Sequence, residues 1–552
     1  MENQSDRKKL PDISDFRRRQ ETVKFGFRWN LIKYFRQYTN RTGIHGFLYL
    51  GEEKRPIFER IFWSFWLGIS IILCSVLTFK TWEKWDSSPV IVSFSKAPTS
   101  IWKIPFPAVT ICPYTKSTYG MYNYTESLNK FMDGVNFTEA EAKNFSASSL
   151  VCDNYLYSEG NKTIGLDAID HITAIAPEVK NILFQCRWDL HPENCSVTFR
   201  KILTEDGLCY TSNMLGRKEF FNDNVYLHYD MAEGESSQGW SLQDGYPDTA
   251  NKDSFPRRAK FAGFTGSQVF VLTDFDQNLD YSCKGPIQGV KIILHNPAEM
   301  PRVRANYLQA PLNEELLVII TPDMMTTSDA VHKYNPHKRE CFFPNERHLS
   351  FFQVYTQQNC EFECLTNYTL AKCGCVAFYM PYEKSTPICG PGSMKCMLEA
   401  ESELISQTVN YGPSEMKLDD ESSDVHGFVC DCLPACSSLA YNAEFSQSRF
   451  NWRELFMAFR ENMSELPGVQ FSRVTIYFKE SQFIPSEKNE LIGVADFLAN
   501  CGGIIGLFIG FSFLSLIELI YFLSLRLVCN LKMYGKRHWS GSSTCDSNRA
   551  IY

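Results

Sequence analysis

Basic residues are missing from two long stretches of this 552-residue chain. No Lys, Arg, Asp or Glu occurs from Ile61 to Phe79, and no Lys or Arg from Leu491 to Leu525. A basic excess is missing as well: 55 Lys and Arg face 63 Asp and Glu, a net charge of −8. That balance excludes a general nucleic-acid binder, which needs surplus cations to displace phosphate counterions. No Gly-x-Ser-x-Gly, His-Glu-x-x-His or P-loop pattern occurs, and the ten histidines are scattered. An enzyme is therefore not expected, since the constellations of hydrolases, zinc peptidases and nucleotide-binding enzymes are lacking. What is present is 44% hydrophobic, 14% aromatic and 21% charged, which rules out a wholly disordered polymer.

The uncharged residues 61–79 would reach about 29 Å as a helix, close to the ~30 Å hydrocarbon core of a bilayer. Trp63 and Trp66 near one end suit an interfacial aromatic belt and favour a membrane span over a buried core helix. About 60 residues of ordinary sequence precede it, so it is not read as a secretory signal. The second stretch, 491–525, is longer than a span requires and contains Asp496, Glu518 and five glycines. A carboxylate at the centre of a lipid-facing helix costs about 2.5–3.5 kcal/mol, so the two acids are expected at opposite interfaces or facing water. Glycines let backbones approach closely and interrupt helices. This stretch is thus expected to line a path as well as anchor the chain.

Basic residues flank both spans on their outward sides in the sequence: Lys54, Arg55 and Arg60 before the first, Arg526, Lys532, Lys536 and Arg537 after the second. The positive-inside rule then makes both termini cytoplasmic. The expected organisation is a cytoplasmic N-terminus (1–60), a first transmembrane helix (61–79), an extracellular domain (80–490), a second transmembrane helix (491–525) and a cytoplasmic C-terminus (526–552).

Ten of the 20 cysteines crowd the segment Cys341–Cys436. Zinc sites want closed four-ligand sets, often with paired histidines; two Cys-x-Cys pairs without nearby histidine pairs do not supply them, and no metal is expected. Outside the cell the run reads as a disulfide ladder of open connectivity, each bridge typically contributing about 2–4 kcal/mol. Asn-x-Ser/Thr sequons at Asn123, Asn136, Asn144, Asn161, Asn194, Asn367 and Asn462 are expected glycosylation sites. Gly289–His295, Leu316–Ile320 and Val474–Phe478 read as strands of one sheet from their β-branched content. Met397–Asp424 carries eight acidic residues and one Lys. It is read first as a solvated helix face and loop, with a proton- or calcium-sensing cluster as the alternative.

Taken in order, several motifs resemble the degenerin/epithelial sodium channel family, and most of all its insect pickpocket branch. They are Thr42-Gly43-Ile44-His45-Gly46 before the first span and Phe106-Pro107-Ala108-Val109-Thr110-Ile111-Cys112, the family's first strand after it. Gly207-Leu208-Cys209-Tyr210-Thr211 follows, then Gly239 to Tyr246 and the cysteine-rich run ending Cys430-Asp431-Cys432-Leu433-Pro434-Ala435-Cys436. The last motif is Gly502 to Ser512. The resemblance covers about Phe47 to Phe522 and implies two transmembrane helices flanking a large disulfide-rich α+β ectodomain of palm, finger and thumb type, assembled as a trimer.

By order, the family pattern implies the pairs Cys112–Cys209, Cys186–Cys195, Cys341–Cys436, Cys360–Cys432, Cys364–Cys430, Cys373–Cys396 and Cys375–Cys389. Cys152 and Cys283 are left over in the outer segment and are inferred to pair with each other. Gly510-Phe511-Ser512 matches the family's Gly-x-Ser selectivity filter, and His45-Gly46 its gating motif, in a loop that re-enters beneath the filter. Ala499 falls at the position where a small side chain lets the pore close. Asn500 stands where acid-sensing relatives carry an aspartate, which departs from the proton-gated pattern. Asp496 and Glu518 would be pore-lining acids. The implied function is a sodium-selective, amiloride-sensitive, ligand- or mechanically gated sensory channel subunit of the plasma membrane, in a homo- or heterotrimer with related subunits. A non-conducting modulatory subunit is the alternative. No cofactor is implied beyond the permeant Na+, and the extracellular stimulus is left unspecified.

Overall fold

Six consecutive buried residues in a strand mean that both of its faces are covered, and two strands meet that condition: Ala108–Pro113 and Gly207–Ser212. The computed structural model that shows this describes residues 27–87, 89–152, 161–226, 236–251, 253–410, 430–460, 468–536 and 538–541. Asn462, Cys545, Arg537 and the 411–424 part of the acidic stretch lie outside the described residues. Residues 90–490 form one unit, and the residues up to Pro89 together with those from Leu491 form the other.

The two buried strands belong to a five-stranded sheet that also holds Arg200–Thr204, Val290–His295 and Leu308–Ala310. Side chains alternate across it with the period of two that a strand dictates. Val109, Ile111, Leu208, Tyr210, Val290 and Ile292 enter one core, and Ala108, Cys112, Cys209 and Ile293 enter another. The first core is shared with an eight-stranded sheet through Phe270, Leu316, Val318, Val474 and Ile476. That sheet is organised by Glu314–Thr327, a 14-residue strand. One edge of it pairs antiparallel with Ser438–Arg449. The other edge is long enough for two parallel partners in succession, Val469–Phe478 and Ser486–Glu490.

Two strand expectations are corrected. Gly289–His295 lies in the five-stranded sheet, not in the same sheet as Leu316–Ile320 and Val474–Phe478, because its hydrogen bonds go to Ala108–Pro113 and Leu308–Ala310. Nor is the strand within Phe106–Cys112 the first after the span. Val90–Phe94 precedes it, an exposed edge strand paired antiparallel with Ser486–Glu490; exposure of both faces left it without the alternation that marks a half-buried strand.

Eight disulfides cross this unit: the seven implied by the family pattern and Cys152–Cys283. The register Ile111↔Tyr210 places Cys112 directly opposite Cys209 on neighbouring antiparallel strands. The nested pairs have an equally local reason. Cys360 and Cys364 sit one turn apart on the helix Gln357–Cys373, about 6 Å along its axis. Their partners Cys432 and Cys430 are two residues apart, about 6.6 Å if extended, so a segment running antiparallel to the helix meets both. Glu399, Glu401 and Glu403 lie on the adjacent helix Met394–Asn410, where Glu403 pairs with Lys372 at 2.6 Å and Glu401 approaches Arg302 at 3.9 Å.

The turn before Gly207–Ser212 holds a buried charge cluster. The Asp206 carboxylate lies 2.8 Å from Lys291, 3.1 Å from Lys284 and 3.8 Å from Lys116. Burial opposes its ionisation, yet the three ammonium groups outweigh it and hold the carboxyl well below the usual carboxylate range. A folded-state pKa below the unfolded value makes this stabilisation fully present above the ordinary 3.8 and lost as the pH falls below it. Asp206→Asn should therefore destabilise the protein at pH 7 by about 3–5 kcal/mol, the cost of leaving buried charges uncompensated. Melting of the detergent-purified chain checks this; an unchanged midpoint would refute the cluster's structural role.

Candidate functional site

The helix Ile57–Ser87 contains residues 61–79 and is 31 residues long, about 46 Å, enough to cross a bilayer with length to spare. Most of its large apolar side chains, among them Ile61, Phe65, Ile72 and Phe79, are exposed. The second apolar stretch, expected over 491–525 with its Gly-x-Ser motif as a break, is interrupted there and once more. It is three helices, Val494–Ile509, Phe513–Leu523 and Leu525–Tyr534, interrupted at Gly510–Ser512 and at Ser524. Helix continues past residue 525 because Leu525, Arg526, Leu527 and Leu531 still favour it, and Gly535, with φ 73°, ends it.

The first break is built from glycine, serine and a loop distant in sequence. Gly510 takes the left-handed conformation (φ 69°, ψ 20°) and closes the preceding helix with a hydrogen bond from its N–H to Gly506 C=O. Ser512 is extended (φ −111°, ψ 170°) and caps the next helix, its hydroxyl accepting from Ser515 N–H at 3.3 Å. The Ser512 hydroxyl is thus engaged in capping. His45 N–H donates to Ile509 C=O at 3.0 Å, meeting one of the carbonyls that a helix end frees. The imidazole covers Gly510 so closely that a Cβ there would come within 2.8 Å of it. Gly46 also requires its missing side chain, at φ 84° and beside Trp63. The structure therefore brings His45, Gly46, Gly510, Phe511 and Ser512 into one place.

Above the break, the helix Val494–Ile509 has two unlike faces. Phe497 packs its ring on Trp85 (4.9 Å, stacked) and Trp82 (5.9 Å), and Cys501 is buried. At 100° per residue, Ala495, Ala499, Gly502 and Gly506 fall on the opposite side, and all four are exposed. Asp496 accepts from Gly493 N–H at 3.3 Å in the first turn, where a carboxylate suits the helix dipole. Asn500 is exposed beside Ala499. Neither Asp496 nor Ala499 reaches the break: Ala499 and Gly510 are 11 residues apart, about 16 Å of helix. Glu518 is half-buried on Phe513–Leu523, beyond the break.

Of the sequons, Asn123, Asn136, Asn161 and Asn194 are exposed, whereas Asn144 and Asn367 are half-buried. Among the described residues no group of three or more His, Cys, Asp or Glu side chains is placed to hold a metal. One set of contacts was not anticipated. The N-terminal helix Phe27–Thr39 packs through Tyr34 and Tyr38 against Phe522 (ring centroids 6.0 and 5.2 Å). The signal for it was the four-residue spacing of those tyrosines, which puts both on one helical face.

With this geometry in hand, the comparisons are decisive about family. The amiloride-sensitive sodium channel family model matches residues 38–522. Pickpocket protein 28 of Drosophila melanogaster is 28% identical over 91% of this chain and 80% of its own length. Pickpocket protein 11 of the same fly is 26% identical over 90% and 77%. Acid-sensing ion channel 2 of Rattus norvegicus is 26% identical over 55% and 57%. A solved proton-activated chloride channel aligns at a TM-score of 0.27 and 6% identity, over 84% of this chain and 96% of that one. The chain belongs to the amiloride-sensitive sodium channel family; it is a cation channel subunit whose two membrane-spanning segments flank a disulfide-rich, strand-rich ectodomain.

The break yields a ranked prediction. Gly510→Ala combines a left-handed backbone, worth about 1–2 kcal/mol against an L-residue, with a collision on His45, so it should lower the melting midpoint most. Gly46→Ala should lower it less, having strain without collision. Gly506→Ala, whose added Cβ meets nothing within 4 Å, should leave it unchanged or raise it. The double change His45→Ala with Gly510→Ala should recover part of the loss; scanning fluorimetry of the purified full chain reads all four.

Proposed function

We propose that the Gly510–Ser512 break is the cation-selective constriction of a sodium-selective, amiloride-sensitive channel in the plasma membrane, with both termini cytoplasmic. The single observation that carries this reading is the exposed small-residue face of Val494–Ile509, which ends at a backbone break supported by His45. Two spans of one chain do not enclose water, so at least one further copy or related subunit is required, and a homo- or heterotrimer is the assembly we favour. Small residues at Ala495, Ala499, Gly502 and Gly506 let neighbouring helices approach around an axis. The helix ends at Ile509, so its carbonyl end carries partial negative charge toward the break and attracts a cation. Backbone oxygens there exchange for the ion's water shell. Helical interruptions are tolerated at membrane depth only where they line such a path or are buried in protein. Asp496 at the outer end and Glu518 beyond the break raise the local cation concentration, and Asn500 makes the mouth less acidic than an aspartate would. The sequons receive glycans, and a sensory stimulus acts on the ectodomain.

Ala499→Val tests this directly. A branched side chain on the small face wedges neighbouring helices apart, so cells expressing the variant should carry a constitutive sodium current, several-fold above wild type. Amiloride should block it and an impermeant cation should abolish it. Whole-cell recording makes the comparison, with surface labelling as control. Silence of the surface-expressed variant, alone and with related subunits, would sink the pore-lining assignment; current only on co-expression would make the chain an obligate heteromer partner.

A further inference from the structure

After the second span the chain folds back on itself. Helix Leu525–Tyr534 ends at Gly535, whose φ of 73° turns the backbone. Two turn hydrogen bonds follow: His538 N–H to Gly535 C=O at 3.2 Å, and Gly541 N–H to His538 C=O at 2.9 Å. Gly541 has a φ of 75°, and a Cβ there would lie 2.9 Å from the Asn530 side chain. Residues 538–541 are thus seated against the helix they have just left.

This return brings two side chains onto the N-terminal helix Phe27–Thr39. The Trp539 ring lies 5.9 Å from that of Phe27 and 5.5 Å from that of Tyr34, residues two turns apart on one helical face. Next to it, the Ser540 hydroxyl donates to the Asn30 side-chain oxygen at 2.8 Å, and both residues are buried. Tyr34 also meets Phe522, to whose C=O its hydroxyl donates. The helix is therefore gripped by the end of the span and by the returning tail together.

The grip extends to the break. Tyr38 packs on Phe47 at 6.5 Å, and fully buried Thr39 fills the space where a Cβ of Gly51 would stand. Both contacts join the N-terminal helix to the short helix Phe47–Gly51. Residues 40–46 are fixed at both ends by this pairing, and from them His45 N–H reaches Ile509 C=O.

Resting on the constriction reading above, we propose that residues 538–541 are a clip that holds the N-terminal helix and, through it, the His45 loop at the break. Opening the clip withdraws His45 and lowers conduction. A packed contact is made or lost and is not continuously deformed, which lets four tail residues act on the break.

The full-length wild type, Trp539→Ala and Gly541→Ala, purified in one detergent, are compared by amide hydrogen exchange. Exchange several-fold faster is expected in both variants across 27–39 and in the peptide carrying the His45 amide, with the buried strand Gly207–Ser212 unchanged as the control for folding. Unchanged exchange in the N-terminal helix overturns the proposal. So does faster exchange there with the His45 peptide still protected. Where a variant also loosens the control strand, Ser540→Ala, which removes only the hydroxyl bond to Asn30, decides on the same criteria. Whole-cell recording in the Ala499→Val background reads the consequence: Trp539→Ala should cut the sodium current several-fold, and an undiminished current refutes the link to conduction. A silent Ala499→Val parent would mark failure of the constriction reading instead, and the exchange result still decides the clip.

Discussion

A helix broken inside hydrocarbon must have its freed backbone groups met by protein or by a lined path. In this chain the hydrogen bond from His45 N–H to Ile509 C=O is where that requirement is met from a segment more than 460 residues away in sequence. The rest of the site follows from it. The imidazole that comes with the bond leaves no room for a Cβ at residue 510, and the left-handed turn there asks for glycine independently. Gly46 turns the loop back toward Trp63 on the first span. Ser512 restarts the helix by capping it. None of these residues explains itself alone.

The ectodomain follows a different constraint. Two strands of its five-stranded sheet, Ala108–Pro113 and Gly207–Ser212, are covered on both faces, so cross-strand cysteines and a buried lysine–aspartate cluster sit beside apolar neighbours. The cysteine-rich segment is held by bridges that match helical rise to strand rise. A helix offers cysteines every four residues and an extended segment every two, and the two spacings nearly agree.

How legible this was depended on the range of the contacts. Spans at 61–79 and beyond 491 could be read because bilayer insertion is a property of local composition. The eight pairings were not readable from spacing; seven came from a family resemblance and one from the two cysteines left over, and the structure forms all eight. Sheet membership was misread for Gly289–His295 because β-branched content announces a strand without naming its partner. The exposed edge strand Val90–Phe94 escaped for lack of alternation, and the N-terminal helix escaped because its partners lie beyond residue 520.

The amino-acid sequence by itself determined which two stretches are apolar enough to enter a membrane, which stretch between them is rich in cysteine, and that the second is dense in glycine. Each of these follows from hydrophobicity or conformational preference acting over a few residues. The family resemblance placed the His45 loop beneath the break; only the tertiary structure decided that the His45 N–H bonds Ile509 C=O, that Phe497 and Cys501 turn one face of the helix inward while Ala499 and Gly506 turn the other outward, and that the helix starting at Phe27 is clamped to Phe522. Those arrangements depend on hydrogen bonds and packing between segments hundreds of residues apart, which no local pattern encodes.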